Sequence, residues 1–187
     1  MNKMKHDIIE IDNFITDDEA SILADFRKYN SPHSFKGTND FFQNKSFPIT
    51  EVQDANIICM ASTAKYRIAH TIKEHYKLPD TLYPDFTDLV QWFVGDSMDP
   101  HGDNAYYPSG EPNYVSHRTY SALIYLNDDY QDGQTFFVDG PEIEVKAGKM
   151  IAFPAGVEYA HGVKKITNGV RYTLAFWYTD SRDNYEF

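Results

Sequence analysis

The hydrophobic and polar positions of this chain change period near residue 88. Before that point the apolar residues recur at helical spacing. Thr16 with Glu19 three residues on forms a capping-box pattern, and Ile22, Leu23 and Phe26 follow it, which predicts a helix over Asp17 to Tyr29. Thr50 and Gln53 open a second predicted helix, which Ile57, Ile58, Ala61, Ala64, Ile68 and Ile72 carry to about His75 before Pro79 ends it. Ile8 to Phe14 reads as a short strand entering a turn. Ser31 to Pro48 reads as a long connection, with a candidate strand at Phe41–Phe42, and is a candidate lid.

From Asp88 onward the period is two. Strands are predicted at Leu89–Val94, Tyr120–Leu126, Gln134–Val138, Glu142–Lys146, Met150–Phe153 and Arg171–Tyr178. Asp132-Gly133, Asp139-Gly140-Pro141, Ala147-Gly148 and Asn168-Gly169 mark the turns between them. Helices followed by many short strands indicate an α+β chain, and a two-sheet jelly roll closes that many strands. In the last strand Arg171, Thr173, Ala175 and Trp177 share one face, and Tyr172, Leu174, Phe176 and Tyr178 share the other. Both faces are apolar. One lines the barrel, and the N-terminal helices are available to cover the other. The expected organisation is a single domain over 1–187, with helical support over about 15–80 and a jelly-roll core over about 88–179.

Composition adds bounds. The chain has 187 residues, 42% hydrophobic and 16% aromatic, with 14 Tyr and 13 Phe, enough for a core filled by wide side chains. The net charge of −11 makes nucleic-acid phosphates and anionic lipid poor electrostatic partners. The single Cys59 excludes an intramolecular disulfide. Its place in the run Ile57-Ile58-Cys59-Met60 suggests a small core residue. With no apolar leader at residues 1–14 and no stretch of membrane-spanning length, the expected location is cytoplasmic, with no membrane partner. The expected state is a monomer or homodimer.

The candidate chemistry lies in His101, Asp103, His161 and Arg171. His-x-Asp with a distant second His is the ligand set of a 2-His-1-carboxylate facial triad, which suits Fe(II) and leaves three coordination positions open. Residues 101 and 103 lie two apart on an extended chain, so their side chains share one side. Arg171 follows His161 across an Asn-Gly turn, on an inward-facing strand position. A buried Arg requires a partner, and the carboxylate of a co-substrate is one; an ion pair with Glu142 or Glu144 is the structural alternative. Tyr106, Tyr107 and Tyr114, in the loop after the metal pair, are candidates for a substrate groove or for an ordinary ordered connection. Lys164-Lys165 reads as a solvated turn.

The surrounding segments resemble a known family. Tyr120-Ser-Ala-Leu-Ile-Tyr-Leu-Asn127 with Gly133-Gln-Thr-Phe136, and Ala147-Gly-Lys-Met-Ile-Ala-Phe-Pro154 followed by His161 and Gly169-Val-Arg-Tyr-Thr-Leu-Ala-Phe-Trp-Tyr178, resemble the Fe(II)/2-oxoglutarate-dependent dioxygenases of the prolyl 4-hydroxylase-like branch. The resemblance covers about residues 88 to 179. It implies a double-stranded β-helix with His101, Asp103 and His161 on iron. It also implies Arg171 on the C5-carboxylate of 2-oxoglutarate, with Tyr125 touching the same carboxylate. Trp92 and Thr173 are further candidate co-substrate contacts, Trp92 because Trp92-Phe-Val-Gly95 stands where the branch often has Tyr-x-x-Gly. The implied reaction consumes O2 and 2-oxoglutarate, releases succinate and CO2, and is a prolyl 4-hydroxylase-type hydroxylation of a peptidyl or free proline. Ascorbate dependence is typical of the branch. The retained carboxylate of Asp103 favours hydroxylation over halogenation. A non-catalytic, cupin-like metal-binding module that binds a ligand without oxidising it is the alternative from another class. The substrate class, protein, peptide or small molecule, is open at this level.

Overall fold

The computed structural model describes residues 7–31, 42 and 44–186. The first element is a short strand, β1 (Ile9–Ile11), followed by helix α1 (Asp17–Tyr29). The capping box forms as the sequence predicts, with the Thr16 hydroxyl accepting from Glu19 N–H at 3.2 Å and the Glu19 carboxylate accepting from Thr16 N–H at 2.9 Å. Strand β2 (Ser46–Pro48) and a single 3₁₀ turn (Ile49–Glu51) precede helix α2 (Ala55–Tyr76). The second helix starts later than Thr50 because the Asp54 carboxylate caps it, accepting from Asn56 and Ile57 N–H. Lys77 in the left-handed conformation ends it.

The strands that follow are β3 (Tyr83–Trp92), β4 (Met98–His101), β5 (Arg118–Tyr125), β6 (Gln131–Asp132), β7 (Thr135–Phe137), β8 (Met150–Pro154), β9 (His161–Val163), β10 (Ile166–Asn168) and β11 (Arg171–Thr179). They form a six-stranded sheet in the order β1-β8-β5-β11-β3-β2, a three-stranded sheet in the order β4-β9-β7, and a β10-β6 pair. Contacts of Phe137 with Phe153, and of Val90 and Trp92 with Val163 and Ile166, place the small sheet over one face of the large one. The helices cover the other face. Leu174, Phe176 and Tyr178 of β11 pack there with Ile57, Ala61, Ala64, Ile68 and Ile72 of α2 and Leu23 of α1. The two-faced alternation of β11 is thus realised: helices on one side, jelly-roll interior on the other.

Ile8–Phe14 is a short strand entering a turn as the sequence predicts, the strand being Ile9–Ile11. Three further expectations are corrected. Glu142–Lys146 is a loop touching the small sheet through one bridge, Phe136 to Glu142, although Ile143 and Val145 still pack inward. Cys59 is exposed, because the α2 period turns Ile57 and Ala61 inward and Cys59 outward. Phe42 lies outside any strand, while Phe41 and most of the 31–48 connection lie outside the described residues. No described helix is long and apolar enough to cross a membrane.

Candidate active site

His101 ends β4 and His161 begins β9, and the antiparallel register pairs them directly. Asp103 follows two residues after His101. One ligand atom from each of the three lies within 4.8 Å of the others. His101 Nε2 stands 3.6 Å from Asp103 Oδ1, and His161 Nε2 stands 3.8 Å from Asp103 Oδ2. Both imidazoles are held from behind: His101 Nδ1 meets Asp99 O and His161 Nδ1 meets Tyr159 O, each at 3.1 Å. A backbone carbonyl accepts only from Nδ1–H, so each ring presents an Nε2 lone pair to the shared point. Asp103 is fixed from its backbone, where Asn113 Nδ2 donates to Asp103 O at 3.2 Å.

The surroundings are dry on one side. Phe153 and Phe137 lie 4.7 and 5.6 Å from the His161 ring, which is buried. Burial pulls the His161 pKa down to about 4, so at neutral pH it is an uncharged donor. Burial pushes Asp103 upward, but the neighbouring His161 and His101 outweigh it and hold the carboxyl well below its usual range. Burial pulls His101 down, and its hydrogen bond and charge interaction with Asp103 override that and raise it. Two imidazole nitrogens and one ionised carboxylate converging on one point fit a divalent first-row metal and suit Fe(II).

Arg171 opens β11 on the interior face, 2% exposed. Its Nη2 donates to Thr135 Oγ1 at 3.2 Å, and the Tyr125 hydroxyl donates to the same oxygen at 2.8 Å. The guanidinium carbon sits 5.5 Å from the Trp92 ring centre and 5.3 Å from that of Tyr125. Arg171 Nε is buried and has no hydrogen-bond partner among the described residues, nor does any described carboxylate form an ion pair with this side chain. Glu142, one of the two structural partners considered for it, pairs with Lys164 instead. A cationic cradle of this kind, with an open donor and no counter-ion among the described residues, fits a carboxylate ligand.

The structure therefore brings His101, Asp103 and His161 together, and separately gathers Arg171, Tyr125 and Trp92. Thr173 faces the same interior, buried between Tyr125 and Val90 in the register of β11. Sequence reasoning did not single out Thr135, the oxygen on which Tyr125 and Arg171 converge; its signal is its place in Gly133-Gln-Thr-Phe136. The loop after the metal pair is an ordered hairpin. Tyr106 N donates to Glu111 O at 2.8 Å and Ala105 bridges Pro112. Tyr106, Tyr107 and Tyr114 stand on it exposed.

Residues 88–179 match the model of the 2OG-Fe(II) oxygenase superfamily. Prolyl 3-hydroxylase 2 of Homo sapiens is 34% identical over 129 residues, covering 58% of this chain and 18% of the human protein. Prolyl 3-hydroxylase 3 of Homo sapiens is 44% identical over 75 residues, covering 37% of this chain and 10% of that protein. The chain thus spans less than a fifth of the length of these curated relatives. Among solved structures, a Pseudomonas putida prolyl-4-hydroxylase superposes with a TM-score of 0.69 at 19% identity, covering 94% of each chain. The viral collagen prolyl hydroxylase of Paramecium Bursaria Chlorella virus-1 superposes with a TM-score of 0.66 at 16% identity, covering 93% of this chain and 96% of the other. These neighbours share the double-stranded β-helix fold.

Proposed function

The chain belongs to the 2OG-Fe(II) oxygenase superfamily, and from that premise we propose that it hydroxylates a C–H bond of a prolyl residue in a peptide, consuming 2-oxoglutarate and O2 and releasing succinate and CO2. The observation that carries this reading is the pairing of three residues placed to hold a metal with a buried arginine that has no counter-ion among the described residues. Bound Fe(II) supplies the O2 activation. The chain's own residues do the rest. His101, Asp103 and His161 hold the metal on one face. Arg171, with Tyr125 and Thr135, takes the far carboxylate of the co-substrate and so orients its reactive end toward the metal. Trp92 walls the cradle. Phe137 and Phe153 exclude water from the His161 side.

A peptidyl prolyl substrate is favoured by the prolyl hydroxylases among the relatives and by the exposed tyrosines on the hairpin that follows Asp103. Aromatic faces dock polyproline segments at low ordering cost, because those segments are already extended. Ascorbate as a reductant for the metal, and a cytoplasmic location, belong to the same proposal.

The test begins with Fe(II) and 2-oxoglutarate added without oxygen. A visible metal-to-ligand charge-transfer band that disappears in His161→Ala supports the site. Proline-rich peptides are then incubated with oxygen, and succinate and a mass gain of one oxygen are measured together. Comparison with hydroxyproline isomers assigns position 3 or 4. Iron bound without a charge-transfer band rejects the reading in favour of a ligand-binding module.

A further inference from the structure

The Tyr130 hydroxyl is buried and makes no hydrogen bond of good geometry to any described residue. Its ring is seated by two turns. A Cβ on Gly169 would come within 2.9 Å of Tyr130 Cα and Cβ, and a Cβ on Gly133 within 3.2 Å of its ring. Both glycines have positive φ, +79° and +71°. Gly169 precedes Arg171 by two residues, and Gly133 precedes Thr135 by two. The two turns that launch the cradle residues therefore both make room for Tyr130. A phenylalanine would fill that space without a polar atom to bury, and a buried hydroxyl without a partner costs free energy. Arg171 Nε, in the same cradle, is also buried and open. Burial raises the Tyr130 pKa while the charge of nearby Arg171 opposes it, so the phenol remains a proton donor at neutral pH.

Tyr130 also has an outer side. It lines a cavity of about 450 Å³ together with Asp128, Asp132, Glu142 and Glu144. Those carboxylates repel an anion, so a dicarboxylate belongs on the Arg171 side of the ring. We infer that Tyr130 is a further donor of the cradle: its hydroxyl binds the distal carboxylate of the co-substrate beside Arg171, and its ring is the end wall that fixes the length of the acid accepted. Two open donors then meet one carboxylate, whose oxygens have lone pairs for both. This inference rests on the functional reading above.

The experiment is calorimetric titration of the Fe(II)-loaded protein without oxygen, using 2-oxoglutarate and its one-methylene-longer homologue, 2-oxoadipate. The wild type is expected to favour 2-oxoglutarate by about tenfold or more, the order expected for misplacing a charged hydrogen-bonded group. Tyr130→Phe keeps the wall and loses the donor. It is expected to weaken 2-oxoglutarate binding about tenfold, with the ligand-free melting temperature unchanged or raised. Tyr130→Leu shortens the wall and is expected to reduce the preference between the two acids to about threefold or less, a change that a purely structural role would not produce. Unchanged affinity in Tyr130→Phe, or an unchanged preference in Tyr130→Leu, overturns the inference alone. Absence of 2-oxoglutarate binding by the iron-loaded wild type overturns both the inference and the functional reading beneath it.

Discussion

His101 and His161 face each other as a register pair of an antiparallel ladder, with ring centres 4.6 Å apart. Sixty residues of chain separate them, yet both rings are aimed by the same device, an Nδ1 contact to the carbonyl two residues earlier. The metal site is therefore preorganised by backbone on both sides, and its loss is expected to be a ligand effect. His161→Ala is expected to lose stoichiometric iron and to lower turnover by about a thousandfold or more, as removal of a primary ligand does. Iron content by elemental analysis, together with an unchanged far-ultraviolet dichroism spectrum, checks this. Full iron occupancy in the variant would show that His161 is not a ligand.

Thr135 is the acceptor shared by Tyr125 and Arg171. Thr135→Val keeps the shape and removes the oxygen, leaving two buried donors open. The expected stability loss is about 2 kcal/mol, because an unmet buried donor loses its hydration without replacement. The Michaelis constant for 2-oxoglutarate is expected to rise about tenfold as the guanidinium loses one of its fixed points, with the iron content unchanged. Urea denaturation and initial-rate kinetics read the two effects separately.

Local signals in the chain were legible. The Thr16 and Glu19 pair fixes the start of α1, and the alternation of β11 sorts Arg171 from Tyr172. The ligand set was legible because its residue types are restricted by chemistry. Pairings across long sequence distance were less so. β4 and β9 are short strands whose residues, Met-Asp-Pro-His and His-Gly-Val, carry no alternation of their own; the ladder between them exists because the large sheet positions both ends. Glu142 to Lys146 misleads for the converse reason. Its alternation reports that Ile143 and Val145 are packed from one side, which a loop achieves with one bridge as well as a strand does with a ladder. Tyr130 left no signal because a lone tyrosine beside a turn has no period to break.

Lys65 of α2 and Glu186 form a buried ion pair at 2.6 Å. Glu186 also accepts from Thr87 N–H at 3.0 Å and from the Thr87 hydroxyl at 2.7 Å, joining helix, sheet and the segment after β11. Lys65→Met leaves a buried carboxylate with only neutral donors and is expected to cost about 3 kcal/mol. The double variant Lys65→Met, Glu186→Leu removes both charges and is expected to recover part of that loss, although Thr87 then loses its acceptor. Thermal melts of the wild type and the single and double variants form the cycle. Additive losses would show that the pair is not coupled.

Asp88 faces the interior of the large sheet, opposite Ala175 on β11 and Pro48 on β2. Its Oδ2 accepts from the Ser46 hydroxyl, and its Oδ1 is buried with no partner among the described residues. Burial pushes its pKa up to about 7, against the opposing pull of Ser46, the Phe47 N–H and the charge of Arg27; Glu186 adds to the upward push. The unfolded chain releases this proton near pH 4. Between those values the folded state holds a proton that the unfolded state has lost. Stability contributed by this group is therefore present below about pH 4, falls as pH rises, and is gone above about pH 7. Asp88→Asn mimics the protonated form at every pH and keeps a side-chain oxygen for Ser46. It is expected to be more stable than the wild type at pH 8 by as much as about 4 kcal/mol, an upper bound because water and Arg27 relax around the ion. The difference is expected to shrink toward zero by pH 4. Melting temperatures of both proteins at half-unit steps from pH 4 to pH 8 test this, and parallel curves would place the Asp88 proton loss outside that window.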